Sequence, residues 1–335
     1  MTRMFKNIVN DVARNVSTIM VYLLLMATPA AMAQWNPGEI VGTGLNEANA
    51  YQISTAAHLN TLATWVNVGA STSGKFYRLV ADINVGNGWM PIGDDSQSNL
   101  NARFFGTFDG AGHTVTIGGI GNVVDSYQYI NYFIGLFGIL GSGGVIKNVH
   151  VNATFTYTNS TYGIRAGGIV GRNDGGTVMN CIFSGSITAP SGNNPLIAIG
   201  GIAGHNSSSG TIQNCYSTGN ISVENSVLSD GGGITGQNGG TIIACYATGA
   251  VQAISTDVVD AGGISGSCSG RIENCVSLNV SIAATATTKD IGRIAASNAG
   301  TYTNNRAIAI SGMNAAGALD GNKDGLLISS TAATT

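Results

Sequence analysis

Near-identical strings recur along this chain at almost constant spacing, and that periodicity restricts the fold more than any other feature. "GGIVGRNDGGTVMNC" begins at Gly167, "GGIAGHNSSSGTIQNC" at Gly200, "GGITGQNGGTIIAC" at Gly232 and "GGISGSCSGRIENC" at Gly262. An earlier copy, "IGLFGILGSGGVIKNV", starts at Ile134, and a degenerate one, "IGRIAASNAGTYTNNR", at Ile291. Their equivalent apolar positions, Leu136, Ile169, Ile202, Ile234, Ile264 and Ile294, lie 33, 33, 32, 30 and 30 residues apart. A unit this short cannot bury its own apolar face, so it is stable only when stacked on its neighbours.

The residues themselves exclude helical repeats. Gly accounts for 49 of 335 residues, and the repeat strings interleave it with β-branched residues, which disfavours helices and suits short strands ended by tight turns. The sequence therefore reads as all-β: a right-handed parallel β-helix, or solenoid, in which each copy is one coil of about 30 residues. Neighbouring coils would lie about 4.8 Å apart. Only 9% of the residues are charged but 44% are apolar, enough for a continuous core and against disorder.

Stacking turns equivalent positions into columns along the axis. Val178, Ile212, Ile242, Ile272 and Tyr302 form an apolar column expected inside, and Met179, Gln213, Ile243, Glu273 and Thr303 a mixed column suited to solvent. Asn180, Asn214, Ala244, Asn274 and Asn304 follow. Asn tolerates left-handed turn geometry, and stacked amides bond from coil to coil, so this column reads as a structural corner. Cys181, Cys215, Cys245 and Cys275 come next, between Val149 and Asn305. Strict alternation places these thiols outside unless the Asn corner reverses the parity. Five cysteines in an exported chain leave two readings open: disulfides, or buried reduced thiols acting as small apolar groups. Cys268 lies outside the column and makes the total odd.

Residues 1–33 have the form of an export signal: basic Arg3, Lys6 and Arg14, the apolar run "IMVYLLLMA" from Ile19, then small residues at Ala31 and Ala33, with cleavage expected after Ala33. An uncleaved membrane anchor is the alternative. Removing three cations and Asp11 would change the net charge from −3 to −5, a poor balance for binding nucleic acid. No later apolar run is long enough to span a bilayer, so the expected location is secreted or at the cell surface.

The repeat strings resemble the GLUG motif of bacterial secreted and surface proteins. The matching cores are "GLFG" at Gly135, "GGIVG" at Gly167, "GGIAG" at Gly200, "GGITG" at Gly232 and "GGISG" at Gly262. The segments that usually precede such repeats are matched by "YQISTAAHLNTLATWVN" from Tyr51, "GKFYRLVADINVGNGWMPIG" from Gly74 and "FFGTFDGAGHTVTI" from Phe104, so the likeness runs from about Tyr51 to Arg306. It implies an exported, surface-associated repeat region, adhesin-like or of the kind that accompanies IgA-specific metallopeptidases, without chemistry of its own. The peptidase activity does not carry over. Zinc hydrolysis of that type needs two His one helical turn apart with a Glu beside the first, and His58, His113, His150 and His205 are isolated.

The organisation expected is a signal peptide at 1–33, an N-terminal cap and first coils at 34–103, the GLUG-like parallel β-helix at 104–310, and a C-terminal tail or cap at 311–335. Within the second segment a helix near 55–68 presents Leu59, Leu62, Ala63 and Val66 at helical spacing. It starts at a Ser54/Thr55 cap, ends near Gly69 and would close the open end of the solenoid. His58 stands where an acidic residue would complete a capping box, which weakens the helix start.

The sequence nominates no catalytic, cofactor-binding or metal-ligating residue. Asp109 and His113 could pair as catalysts, but "FDGAGH" reads better as a turn in which Asp109 bonds its own backbone, and Asp94 and Asp95 as a solvated pair. Asp320, Asn322, Asp324 and Gly325 begin like a calcium loop, yet Thr331 stands where a bidentate Glu belongs. Thr177, Thr211, Thr241 and Thr301 suggest an ice-binding array, broken by Arg271. No acidic column is visible on adjacent coils, where a catalytic groove would collect carboxylates.

These features favour an exported, non-enzymatic protein with an adhesive or structural role. Its expected partner is an extracellular glycan or a host protein, contacted through the variable segments from Thr188 and Ser222 and through Asp94 to Arg103. A polysaccharide lyase or glycoside hydrolase is the alternative. The export reading has a direct check: the secreted chain should begin at Gln34 when its N-terminus is determined by mass spectrometry. A mature form retaining Met1 or Thr2 would favour the uncleaved anchor instead.

Overall fold

The segment "IAIGGIAGHNSSSGTIQNCYSTGNISVEN" shows how one repeat becomes one coil. Ile197–Gly200, Ala203–Asn206 and Thr211–Gln213 are strands, followed by Tyr216–Ser217 and Asn220–Asn225, which share a sheet. The next coil restarts at Leu228–Gly232, hydrogen-bonded in parallel to Ile197–Gly200. In this computed structural model the described residues are 40–93, 102–120, 131–156, 163–189, 196–225, 227–297, 299–310, 313 and 322–328. They form a parallel β-solenoid whose four faces, numbered in chain order from Ile197–Gly200, hold six, five, nine and twelve strands.

Each corner has its own chemistry. Between the first and second faces the double glycine is required by proximity. A Cβ on Gly200 would stand 2.3 Å from the Ala203 carbonyl oxygen, and one on Gly201 would stand 2.5 Å from the Gly233 carbonyl oxygen of the next coil. Between the second and third faces Asn173, Asn206 and Asn238 point inward, fully buried. Asn173 Nδ2 donates to Asn206 Oδ1 and Asn206 Nδ2 to Asn238 Oδ1, both at 2.9 Å, and each amide also bonds a carbonyl of its own turn. This inner amide ladder, which ends on Cys268 Sγ at 3.5 Å, is not anticipated by the sequence reading.

The third corner is the Asn column that the sequence does announce. Asn148, Asn180, Asn214, Ala244, Asn274 and Asn304 all have φ between 52° and 55°, the left-handed region. Asn180 Nδ2 donates to Asn148 Oδ1 at 3.0 Å and Asn304 Nδ2 to Asn274 Oδ1 at 2.5 Å. The left-handed residue resets the alternation, so Ile212 before the corner and Cys215 after it are both buried. Thiols and apolar column therefore share one core, in strict register: Val178, Ile212, Ile242, Ile272 and Tyr302 are successive partners.

The five cysteines are free and buried. Those in the column solve a backbone problem. The N–H of Cys181, Cys215 and Cys245 points inward and donates to the Sγ of the next coil's cysteine, each at 3.4 Å. Each thiol in turn donates to the carbonyl two residues earlier, as Cys215 Sγ does to Gln213 O at 3.2 Å. At the last step Asn305 Oδ1 accepts from the Cys275 N–H at 2.9 Å, which is why an amide can follow four thiols in one column. Burial pushes the thiols of Cys181, Cys215 and Cys245 well above their ordinary pKa.

Helix α1 (Ala56–Asn67) buries Leu59, Leu62, Ala63 and Val66 as expected and packs against Ile83–Gly86, the terminal strand of the fourth face. Thr55 Oγ1 accepts from the His58 N–H at 3.2 Å, and Gly69 ends the helix at φ 90°. His58 Nδ1 accepts from the Ser54 N–H at 3.3 Å, one residue before the N-cap N–H that a capping-box carboxylate would take. No helix among the described residues is long and apolar enough to cross a membrane.

The ladder at the third corner is bonded at its two ends and broken between Asn180 and Asn274, where Ala244 carries no amide. Ala244→Asn supplies an amide next to Asn274 and should raise stability by about 0.5–1 kcal/mol, the net value of one hydrogen bond. Asn214→Val, which forces a β-branched residue into the left-handed region, should lower stability by about 1–3 kcal/mol. Urea unfolding of the two variants checks both signs.

Candidate functional site

Register places the charged side chains as firmly as the apolar ones. In the first face Arg165, Ala198, Asp230, Asp260 and Asp290 are successive cross-coil partners. In the second face Arg172, His205, Gln237 and Ser267 are likewise aligned. The two columns meet along the seam between the faces. Gln237 Nε2 donates to Asp230 Oδ2 at 2.6 Å, and Ser267 acts on Asp260 to oppose the rise of its pKa.

The seam is polarised along the axis. At one end Asp174 joins two guanidiniums, accepting from Arg172 Nη2 at 2.9 Å and from Arg103 Nη1 at 2.5 Å. Among the described residues Arg165 and His205 beside them make no side-chain hydrogen bond or ion pair, and Arg165 Nε, Arg172 Nε and His205 Nδ1 are sealed from solvent without partners. Burial, then the charges of Arg165 and Arg172, push His205 down to about 4, so its ring is neutral at physiological pH. Arg165 is itself lowered, by burial first and then by Arg172.

At the other end the column is acidic. Asp230 is only 1% exposed and its Oδ1 has no partner. Burial, reinforced by Asp260 on the next coil, pushes it up to about 7, against the pull of Gln237 and Arg165. Asp260 is raised by its own burial and then by Asp290. Carboxylates one coil apart repel, so the stack is held by the backbone register against its own electrostatics.

This column corrects the sequence expectation that no acidic column exists. The signal was present: Asp230, Asp260 and Asp290 each stand two residues before a repeat glycine, thirty residues apart. The glycines and the Asn–Cys pair dominate the repeat, and the Asp position lies outside both.

The other sequence candidates are scattered. Asp109 Oδ1 accepts from the Ala111 N–H and from Asn148 Nδ2, both at 2.9 Å, the turn role expected of it. His113 pairs instead with exposed Asp82, Nδ1 to Oδ1 at 3.1 Å, so no Asp109–His113 catalytic pair forms. His150 bonds Ser184 Oγ through Nε2 at 2.8 Å. Asn322 Oδ1 closes a tight turn on the N–H groups of Asp324 and Gly325, and Asp324 Oδ1 receives the Arg293 backbone N–H at 3.1 Å. Asp94, Asp95, Asp320 and Thr331 lie outside the described residues. Thr177, Thr211 and Thr241 are aligned on the third face, with Arg271 in ion pair with Glu273 interrupting the row. Tyr216 and Tyr246 stack on the fourth face at 4.7 Å and 7°.

Comparison with known proteins agrees with this architecture. The GLUG motif matches at residues 162–188 and 196–222. Over 141 residues the chain is 33% identical to a "Putative Gly-rich membrane protein" of Evansella cellulosilytica, covering 40% of this chain and 14% of that protein. Over 174 residues it is 30% identical to halomucin of Haloquadratum walsbyi, covering 49% of this chain and 2% of that protein. The chain thus spans a small part of both relatives. A crystal structure titled as that of a "putative immunoglobulin A1 protease" from Bacteroides ovatus superimposes with a TM-score of 0.59 over 87% of each chain at 21% identity, a likeness of fold.

Asp230 supplies a pH test of the seam. Its folded pKa lies above the ordinary carboxyl value of 3.8, so the folded state holds the proton more tightly and stability falls as pH rises from about 4 through about 7. Full ionisation costs at most about 4 kcal/mol. Asp230→Asn should therefore stabilise the protein at pH 8 and leave it nearly unchanged at pH 4, as read from thermal melts at both pH values.

Proposed function

We propose that this chain is an exported, non-enzymatic repeat protein that acts by binding, with an extracellular glycan as its partner and the seam between the first and second faces as its binding surface. The observation that carries the reading is the set of side-chain atoms left without hydrogen-bond partners there, Arg165 Nε, Arg172 Nε, His205 Nδ1 and Asp230 Oδ1. Buried polar groups are ordinarily satisfied, and four such groups on one stretch of a rigid scaffold mark a place prepared for something else. The printed names of the relatives, a membrane protein and halomucin, support a role outside the cytoplasm.

The acidic column favours one competing reading, polysaccharide hydrolysis by Asp230 and Asp260. A raised carboxyl beside a second carboxylate is the pattern of a general acid and its partner. Burial argues against it: at 1% exposure, with Oδ2 held by Gln237, Asp230 is out of reach of a scissile bond.

The purified chain should bind one or more polysaccharides on an array of host, plant and bacterial glycans, with no new reducing ends or unsaturated products in the same wells. Cleavage that disappears in Asp260→Asn would replace this reading with the hydrolase. Absence of any glycan binding would move the partner to protein.

A further inference from the structure

Guanidiniums gather at one end of the seam, and among the described residues that of Arg165 has no contacting anion. Asp174 is shared by Arg103 and Arg172. Arg165 has no ion pair, and the carboxylate that acts on it, Asp230, does so from two coils away, across Ala198. Arg165 and Arg172 therefore stand close enough to repel, and Asp174 contacts only the second of them, while the guanidinium fork is the group best shaped to take a planar oxyanion. Beside them His205 is unpartnered and neutral, suited to a hydroxyl and adding no charge.

We infer that Arg165, Arg172 and His205 form a seat for a single anionic group, a carboxylate or sulfate, borne by an acidic glycan. This rests on the proposed glycan-binding reading and names the class of glycan. The surroundings decide between a glycan and an acidic peptide. Past the arginines the seam offers Gln237, Ser267, Asp260 and Asp290, acceptors and donors for hydroxyls, and its carboxylates repel a run of negative charges. The ligand that fits carries its charge at one point and hydroxyls beyond it.

The test measures binding of the purified chain to a carboxylated polysaccharide, a sulfated polysaccharide, a neutral polysaccharide, free acetate, free sulfate and poly-glutamate, by calorimetry at fixed salt. Arg165→Gln should weaken binding of the carboxylated or sulfated glycan about tenfold or more, the loss expected for a charge-assisted hydrogen bond. The charge-matched control Arg271→Gln, on the third face, should leave affinity within about twofold. Arg165→Lys keeps the charge, removes the fork and should give an intermediate loss; it also serves where Arg165→Gln melts early.

Equal affinity for neutral and acidic glycans, or equal loss in both Gln variants, would overturn the seat while leaving glycan binding intact. Poly-glutamate binding more tightly than any glycan would overturn the glycan as occupant. Free acetate or sulfate binding as tightly as the polysaccharides would show an ion site without sugar recognition, which also overturns it. Failure of every glycan to bind would instead remove the proposed function on which this inference rests.

Discussion

Parallel stacking in register is the constraint on which everything else in this molecule depends. A coil of about thirty residues has no core of its own, and its backbone donors and acceptors point along the axis at the next coil. Once the coils are aligned, each residue choice is repeated at the same place in every turn. Whatever is favourable once becomes a column of favourable contacts, and whatever is unfavourable becomes a column of strain.

The corners show the favourable side. A left-handed residue at Asn148, Asn180, Asn214, Ala244, Asn274 and Asn304 turns the chain and changes which side of the strand is inside. That change creates an inward backbone N–H in each coil, and a small side chain with an acceptor has to meet it. Cys does so three times and Asn305 once. Cysteine is thus present as a compact hydrogen-bonding group in an apolar core, which explains how four thiols can stack without pairing. The inner ladder of Asn173, Asn206 and Asn238 solves the matching problem at another corner.

The seam shows the unfavourable side. Arg165, Ala198, Asp230, Asp260 and Asp290 occupy one column, so like charges are held one coil apart and a carboxyl is buried without a full set of partners. A sequence that only needed to fold would place Thr or Ser there, as it does on the third face. Charges kept against the local electrostatics, on a scaffold held in register, are the ground of the proposed binding surface.

The sequence by itself determined the repeat, the strand character of each copy, the core column around Ile212 and the left-handed corner at Asn, because each is carried by the intrinsic preferences of Gly, Ile and Asn at a fixed spacing. It also located helix α1 by its stripe of Leu59, Leu62, Ala63 and Val66, all buried. Two things only the tertiary structure decided. The side on which the cysteines lie depended on a corner whose effect on parity could be stated but not resolved from the string. The seam depended on two columns from different faces meeting, as Asp230 does with Gln237. Local preference sets the path of one coil; which side chains face each other across two faces is set by how sharply the double glycine folds one face against the next, a distance between backbones that residue types alone do not encode.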